Sequence, residues 1–161
     1  MTTSHSDMSE TEKLLRENMD ENTRMVILID PLNPLGSSYT EDEIKEFAQI
    51  AKENDLYLLH DITYKDFARE HFLAENYSPG QTITIYSFSK IFGMAGLRIG
   101  GVISSKPIID AIKNAVVNDL GVNIISQYGA IAGLKSKPQW FEKIREICFE
   151  NQRLINEMIE P

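Results

Sequence analysis

The chain has 161 residues, 42% of them hydrophobic, and a formal net charge of −8. That is enough for one domain with a real core, so disorder is not the default reading. The acidic balance, without any Lys/Arg block, argues against nucleic acid and anionic membrane as partners. The lone cysteine, Cys148, allows no internal disulfide, and no apolar run is long enough to span a bilayer.

Residues 1–10 are polar and without period, and read as a disordered leader that lacks the apolar stretch of a signal peptide; a cytoplasmic protein is expected. Thr11 to Met19 is predicted to form a short helix, with Leu14, Leu15 and Met19 on one stripe. Met25 to Asp30 is a short, continuous apolar run, the pattern of a strand buried on both faces of a parallel sheet. Two prolines and a glycine, Pro31 to Gly36, then break the chain. Thr40-Glu-Asp-Glu43 is a capping box, Thr as N-cap and Glu at the third helical position. It opens a helix whose buried stripe is Ile44, Phe47, Ala48 and Ala51, ended by a left-handed Asn54. Leu56 to His60, leading into Asp61, is a second strand of the buried type. Strand, helix and strand in this length form a βαβ unit with parallel strands and a right-handed crossover.

Tyr64 to Phe72 is helical or turn-like, and Thr82 to Tyr86 is a third strand. The next segment, Ser87 to Arg98, is broken by Gly93 and Gly96 and leaves little room for a crossover helix. The fourth strand, Gly100 to Ser104, is therefore expected to run antiparallel to the third. Pro107 starts a helix with Ile108, Ala111, Ile112 and Ala115 on its buried stripe. Asn123 caps another helix through Leu134, and Pro138 opens a last long one with Phe141, Ile144, Cys148, Ile155 and Ile159 on one face. The predicted class is α/β: a three-layer α/β/α sandwich on a mostly parallel sheet with one antiparallel strand.

Four short signals follow or precede these strands: Asn33-Pro34-Leu35-Gly36, Asp61 with Tyr64, Ser87-Phe88-Ser89-Lys90, and Arg98 with Gly100. Ligands of open α/β sheets bind at the carboxyl ends of the parallel strands. The first three signals lie there, and an antiparallel fourth strand brings Arg98 to the same edge. Singly, each residue has a plainer role: Lys90 on the surface, Asp61 as a cap, Asn33-Pro34 as a turn, Arg98 in a salt bridge, Tyr64 half-buried. Together and in order they resemble the large domain of fold-type I pyridoxal-phosphate (PLP) enzymes, in the class I/II aminotransferase family. The similarity runs from about Leu14 to the final helix.

The resemblance implies the following roles. Lys90 holds PLP as a Schiff base and shuttles a proton, an amine in a partly desolvated pocket being more readily neutral. Asp61 pairs with the pyridine nitrogen and keeps the ring an electron sink. Tyr64 and Asn33 donate to the phenolic oxygen, and Asn33-Pro34 is a cis peptide. Ser87, Ser89 and Arg98 hold the phosphate, the guanidinium through parallel bonds. Substrates are an amino acid and a 2-oxo acid, and the intact enzyme is a homodimer. The expected layout is a leader and short helix in 1–22, a partial PLP-binding large domain in 23–136, and in 137–161 a long helix leading to an absent small domain. Three readings stay open: a truncated aminotransferase, a catalytically inactive remnant or one part of a split enzyme, and a PLP-dependent decarboxylase or lyase. His60 is assigned to the core, His5 and His71 to solvent, and Phe92 and Met94 to packing. No metal site is expected, because no His/Cys/Asp cluster has ligand spacing.

Overall fold

The computed structural model describes residues 10–116 and 121–159. The leader assigned to residues 1–10, with His5, lies outside them except for Glu10, which begins α1 (Glu10–Asn18). The chain continues as β1 (Met25–Ile29), α2 (Glu41–Glu53), β2 (Tyr57–Asp61), β3 (Thr82–Ser87), β4 (Gly100–Ser104), α3 (Lys106–Ala115) and α4 (Ile124–Ile159). Single 3₁₀ turns at Lys65–Phe67, Ala74–Asn76 and Ala95–Leu97 fill the connections. The sheet order is β1-β2-β3-β4. The pairs β1·β2 and β2·β3 are parallel, and β4 is antiparallel to β3, as the short Ser87–Arg98 connection requires.

The α2 capping box forms: Thr40 Oγ1 accepts from the Glu43 N–H, while the Glu43 carboxylate accepts from the Thr40 N–H at 2.8 Å. The predicted stripe of α2 is the core. Ile44, Ala48 and Ala51 seal against Leu28 and Leu58, all at 2% exposure or less, and Phe47 closes the cluster. At the other end of this helix the left-handed residue is Asp55 (φ 53), one position later than expected; Asn54 keeps φ −105 and uses its side-chain amide on the Ile50 carbonyl. A short polar side chain is tolerated at either position, and Asn54 serves as the C-cap, its backbone N–H also on the Ile50 carbonyl.

Burial corrects the reading of β1 as sealed on both faces. Leu28 is buried, but Ile27 is 65% exposed and Met25 and Ile29 are also open. Successive side chains alternate between faces, and among the described residues α2 covers only the face of Leu28 and Leu58. In α3 only Ile108 of the expected stripe is buried; Ala111 and Ala115 are exposed.

Pro138 does not open a helix. It lies inside α4, which runs unbroken from Ile124 to Ile159, with the Asn123 side chain accepting the Ser126 N–H as the expected N-cap. A mid-helix proline removes one backbone bond, and tertiary contacts on the same turns offset that loss. The Lys137 ammonium meets Asp66 at 2.6 Å, and Gly133 lies so near Phe92 that a Cβ there would be 2.9 Å from its ring. In the second half of α4 the half-buried residues are Phe141, Arg145, Cys148 and Phe149, whereas Ile144, Ile155 and Ile159 are exposed. Arg145 takes the inward place because it donates to the Ala68 carbonyl and lies over the Phe149 ring. Among the described residues, no helix is long and apolar enough to cross a membrane.

Candidate functional site

Strand register decides which groups share a face. Leu58 and His60 of β2 lie beside Thr82 and Thr84 of β3 on the α2 side. Asp61 pairs with Ile85, so Asp61, Ile85 and Ser87 present their side chains on the opposite, less covered face. The Asp61 carboxylate accepts the Thr63 N–H at 2.9 Å and stays half-buried.

The remaining groups gather in two neighbouring clusters. At the end of β1, the turn after Asp30 holds both Asp30-Pro31 and Asn33-Pro34 as cis peptides. It presents the Asn33 amide, which donates to the Tyr64 hydroxyl at 3.4 Å. Lys90 Nζ stands 5.4 Å from the centre of the Tyr64 ring, so amide, phenol and primary amine form one group. Asn33 and Tyr64 border a hollow of about 320 Å³ that also touches Phe67 and, from α4, Cys148 and Gln152.

The second cluster sits at the corner between β3 and β4. Ser87, Ser89 and Arg98 line a hollow of about 390 Å³ with Ile85 and Gly100. Ser87 Oγ accepts the Ser89 N–H at 3.1 Å. The corner depends on Gly100: a Cβ there would stand 2.8 Å from the Tyr86 carbonyl oxygen, so only glycine lets β4 start this close to Ser87. Arg98 is held left-handed (φ 50), with one guanidinium nitrogen on the Ala95 carbonyl at 2.9 Å. Two hydroxyls and a guanidinium around one hollow are donors suited to a phosphate or similar anion.

Lys90 and Arg98 are exposed. The partly desolvated pocket expected around Lys90 is not formed by the described residues. Phe92 packs against Trp140 and α4, in keeping with the packing role expected for it.

Two clusters of polar side chains, with Asp66 in one and Asp30 and His60 in the other as their buried members, are not announced by the sequence. Asp66 is 5% exposed and accepts from the Tyr86 hydroxyl at 2.8 Å and from Lys137, joining β3, the turn after Tyr64 and α4. Burial pushes the Asp66 carboxyl up, but these partners outweigh it and leave it below its ordinary range; burial and the same carboxylate push the Tyr86 phenol well up. The other group is Asp30, His60 and His71, whose ligand atoms lie within 4.8 Å of one another. His71, expected in solvent, keeps only 9% of its side chain exposed because it is drawn onto Asp30. No sequence spacing announces contacts among residues so far apart along the chain.

A protein-family model described as aminotransferase class I and II matches residues 2–160. Among curated relatives, an aspartate aminotransferase from Pyrococcus horikoshii is 30% identical over 88% of this chain and 38% of its own length. A histidinol-phosphate aminotransferase from Bdellovibrio bacteriovorus is 31% identical over 81% of the chain and 36% of its own length. A solved Thermus thermophilus aspartate aminotransferase variant complexed with tryptophan superposes with a TM-score of 0.84 at 26% identity, covering 91% of this chain and 40% of that one. The chain thus spans about two fifths of the length of these relatives. With the α/β fold, the antiparallel fourth strand and the family match in agreement, the chain belongs to the class I and II aminotransferase family.

Proposed function

We propose that the chain carries the PLP-binding core of an aminotransferase that moves an amino group between an amino acid and a 2-oxo acid. The observation that carries this reading is the grouping at one sheet edge. Asp61 and Ser87 share a face, Lys90 stands by the Tyr64 ring, whose hydroxyl accepts from Asn33, and Arg98 lines one hollow with Ser87 and Ser89.

The residues present fit the cofactor by the chemistry of their donors. Bound PLP supplies an aldehyde that condenses with a primary amine, releasing water, and a ring that accepts the electron pair left when an amino acid loses its α-proton. Lys90 Nζ is the amine that holds it and, once displaced by substrate, the base that takes the α-proton and returns it. Asp61 provides the anion that keeps a ring N–H protonated. Asn33 and Tyr64 donate to a phenolic oxygen and favour its charged form. Arg98, Ser87 and Ser89 bind the phosphate and thereby orient the ring. The intact enzyme is assigned as a homodimer of the cytoplasm.

Incubation with PLP, borohydride reduction and peptide mapping test this reading. The expected adduct is on Lys90 and absent from Lys90→Ala. A folded wild-type protein without a label at Lys90 would refute it. Assay with an amino donor and a 2-oxo acid separates transamination from decarboxylation or elimination by the products. A second reading, a non-catalytic remnant or one part of a split enzyme, is favoured by the exposure of Lys90 and Arg98. Transamination by the isolated chain would sink it.

A further inference from the structure

Two buried side chains and one largely covered, all left unused by this chemistry, meet where β1 and β2 end. Asp30 and His60 have no exposed surface, and His71 reaches them from the connection after Tyr64. Asp30 Oδ1 accepts the Tyr39 N–H at 3.1 Å. His71 Nε2 is aligned on the Asp30 carbonyl oxygen at 3.1 Å and lies 3.1 Å from Oδ2 as well. His60 Nε2 stands 3.8 Å from the same Oδ2, its ring stacked on His71 with centroids 5.6 Å apart. Among the described residues, neither Asp30 Oδ2 nor His60 Nε2 has an aligned hydrogen-bond partner.

Two histidines and a carboxylate at this spacing invite a divalent metal, but the placement of protons opposes it. The Ala74 N–H points at His60 Nδ1 at 3.3 Å, and an N–H can only donate. Nδ1 is therefore the acceptor, and a neutral His60 carries its proton on Nε2, the nitrogen a metal would need bare. The Asp30 carbonyl likewise demands a proton on His71 Nε2. Both rings thus turn N–H groups toward Asp30, whose carboxylate sits as a buried anion among donors.

What the anion fixes is the turn that carries Asn33. Asp30 is three residues before it, and Tyr39, at the far end of the turn, is tied back to the Asp30 side chain. Between them the Leu32 N–H bonds the Ser37 carbonyl at 2.8 Å and the Gly36 N–H bonds the Leu32 carbonyl at 2.6 Å. The Asp30 N–H also holds the Asp61 carbonyl at 3.0 Å, so one residue ties the Asn33 turn to the strand end bearing Asp61.

We propose that Asp30 and His71, supported by His60, are positioning residues that set the Asn33 amide against Tyr64 and the cofactor's phenolic oxygen, an inference that rests on the PLP reading above. Loss of a donor at that oxygen leaves it more basic and strengthens its hold on a proton at the Lys90 nitrogen. The pH midpoint of the visible absorbance of Lys90-bound PLP therefore moves up, by about one unit for a hydrogen bond to a charged group.

The test compares Asp30→Asn, His71→Leu and His71→Gln, the last keeping a side-chain N–H, with Asn33→Ala as reference. Two readouts are taken: the absorbance titration with PLP, and amide hydrogen exchange of Leu32, Gly36 and Tyr39 without it. Asp30→Asn and His71→Leu are expected to shift the midpoint upward, as Asn33→Ala does, and to speed exchange in the turn while β2 and α2 stay protected. His71→Gln is expected to stay near wild type in both. A midpoint that moves in Asn33→Ala but not in folded Asp30→Asn or His71→Leu overturns the inference. So does loss of protection throughout β2 and α2 in both variants, which would make the cluster a core element only. One tightly held zinc ion per chain, lost in His71→Leu, overturns it in favour of a metal site. If wild-type protein takes no label at Lys90, the PLP reading fails and takes this one with it; if the label forms but the variants leave the midpoint unmoved, only this one fails.

Discussion

The two faces of the sheet are built from the same strands and do different work. On the α2 side, Leu28 and Leu58 are sealed and the polar residues are bound into structure: His60 receives the Ala74 N–H, Thr84 donates to Glu75, and Tyr86 donates to Asp66. On the other side Met25, Ile27, Tyr57 and Val102 are open to solvent. There Asp61 and Ser87 hold short local bonds and remain available to a ligand. A buried polar group needs its partners to be tolerated at all, whereas a half-exposed one can exchange water for a ligand. Apart from Asp30 Oδ2 and His60 Nε2, the covered face thus commits the donors and acceptors named here to the fold, and the open face keeps its own for chemistry.

The largest expected effect is on the covered face. Leu58→Ala removes a side chain with no exposure from the α2 cluster and should cost about 2–5 kcal/mol in urea unfolding; a loss below about 1 kcal/mol would mean that this face is not the core. Asp66→Ala should follow at roughly 2–3 kcal/mol. It falls short of a fully buried pair because Lys137 keeps 21% of its side chain exposed and can rehydrate. Faster hydrogen exchange around Lys137 should accompany the loss, and unchanged α4 exchange would show that the contact does not hold this helix.

Acid probes the covered face through Asp30. Burial pushes its carboxyl up, but the His60 and His71 imidazoles and the Tyr39 N–H outweigh it and bring the pKa down to about 2, from an ordinary 3.8. A depressed folded-state pKa contributes stability that is complete above about pH 4 and is lost as pH falls through about 2, on the order of 2 kcal/mol in all. Unfolding free energy measured from pH 5 to pH 2 should show this fall in wild type and a shallower one in Asp30→Asn; equal slopes would remove Asp30 from the account. The smallest effect belongs to the open face. Ile27→Ser should change stability by less than about 0.5 kcal/mol, since a residue 65% exposed has little burial to lose. A cost of 2 kcal/mol there would erase the contrast between the faces.

Much of the frame was legible residue by residue. The capping box, the α2 stripe, the Asn123 cap and the reversal of β4 are all decided within a few residues, by local hydrogen bonds or by a connection too short for a crossover. The four motifs and their order also lie wholly in the sequence, and they suffice to place the chain in its family. Burial does not work that way. Met25-Val-Ile-Leu-Ile29 is uniformly apolar, yet only Leu28 is sealed, because exposure depends on which element lies opposite. The same holds for Pro138, whose helix-breaking tendency yields to contacts with Asp66 and Phe92 from distant segments, and for Asp30, His60 and His71, which no spacing joins. Propensity and capping are written in neighbours along the chain; packing and the pairing of buried charge arise between segments far apart in it, so only the folded molecule decides them.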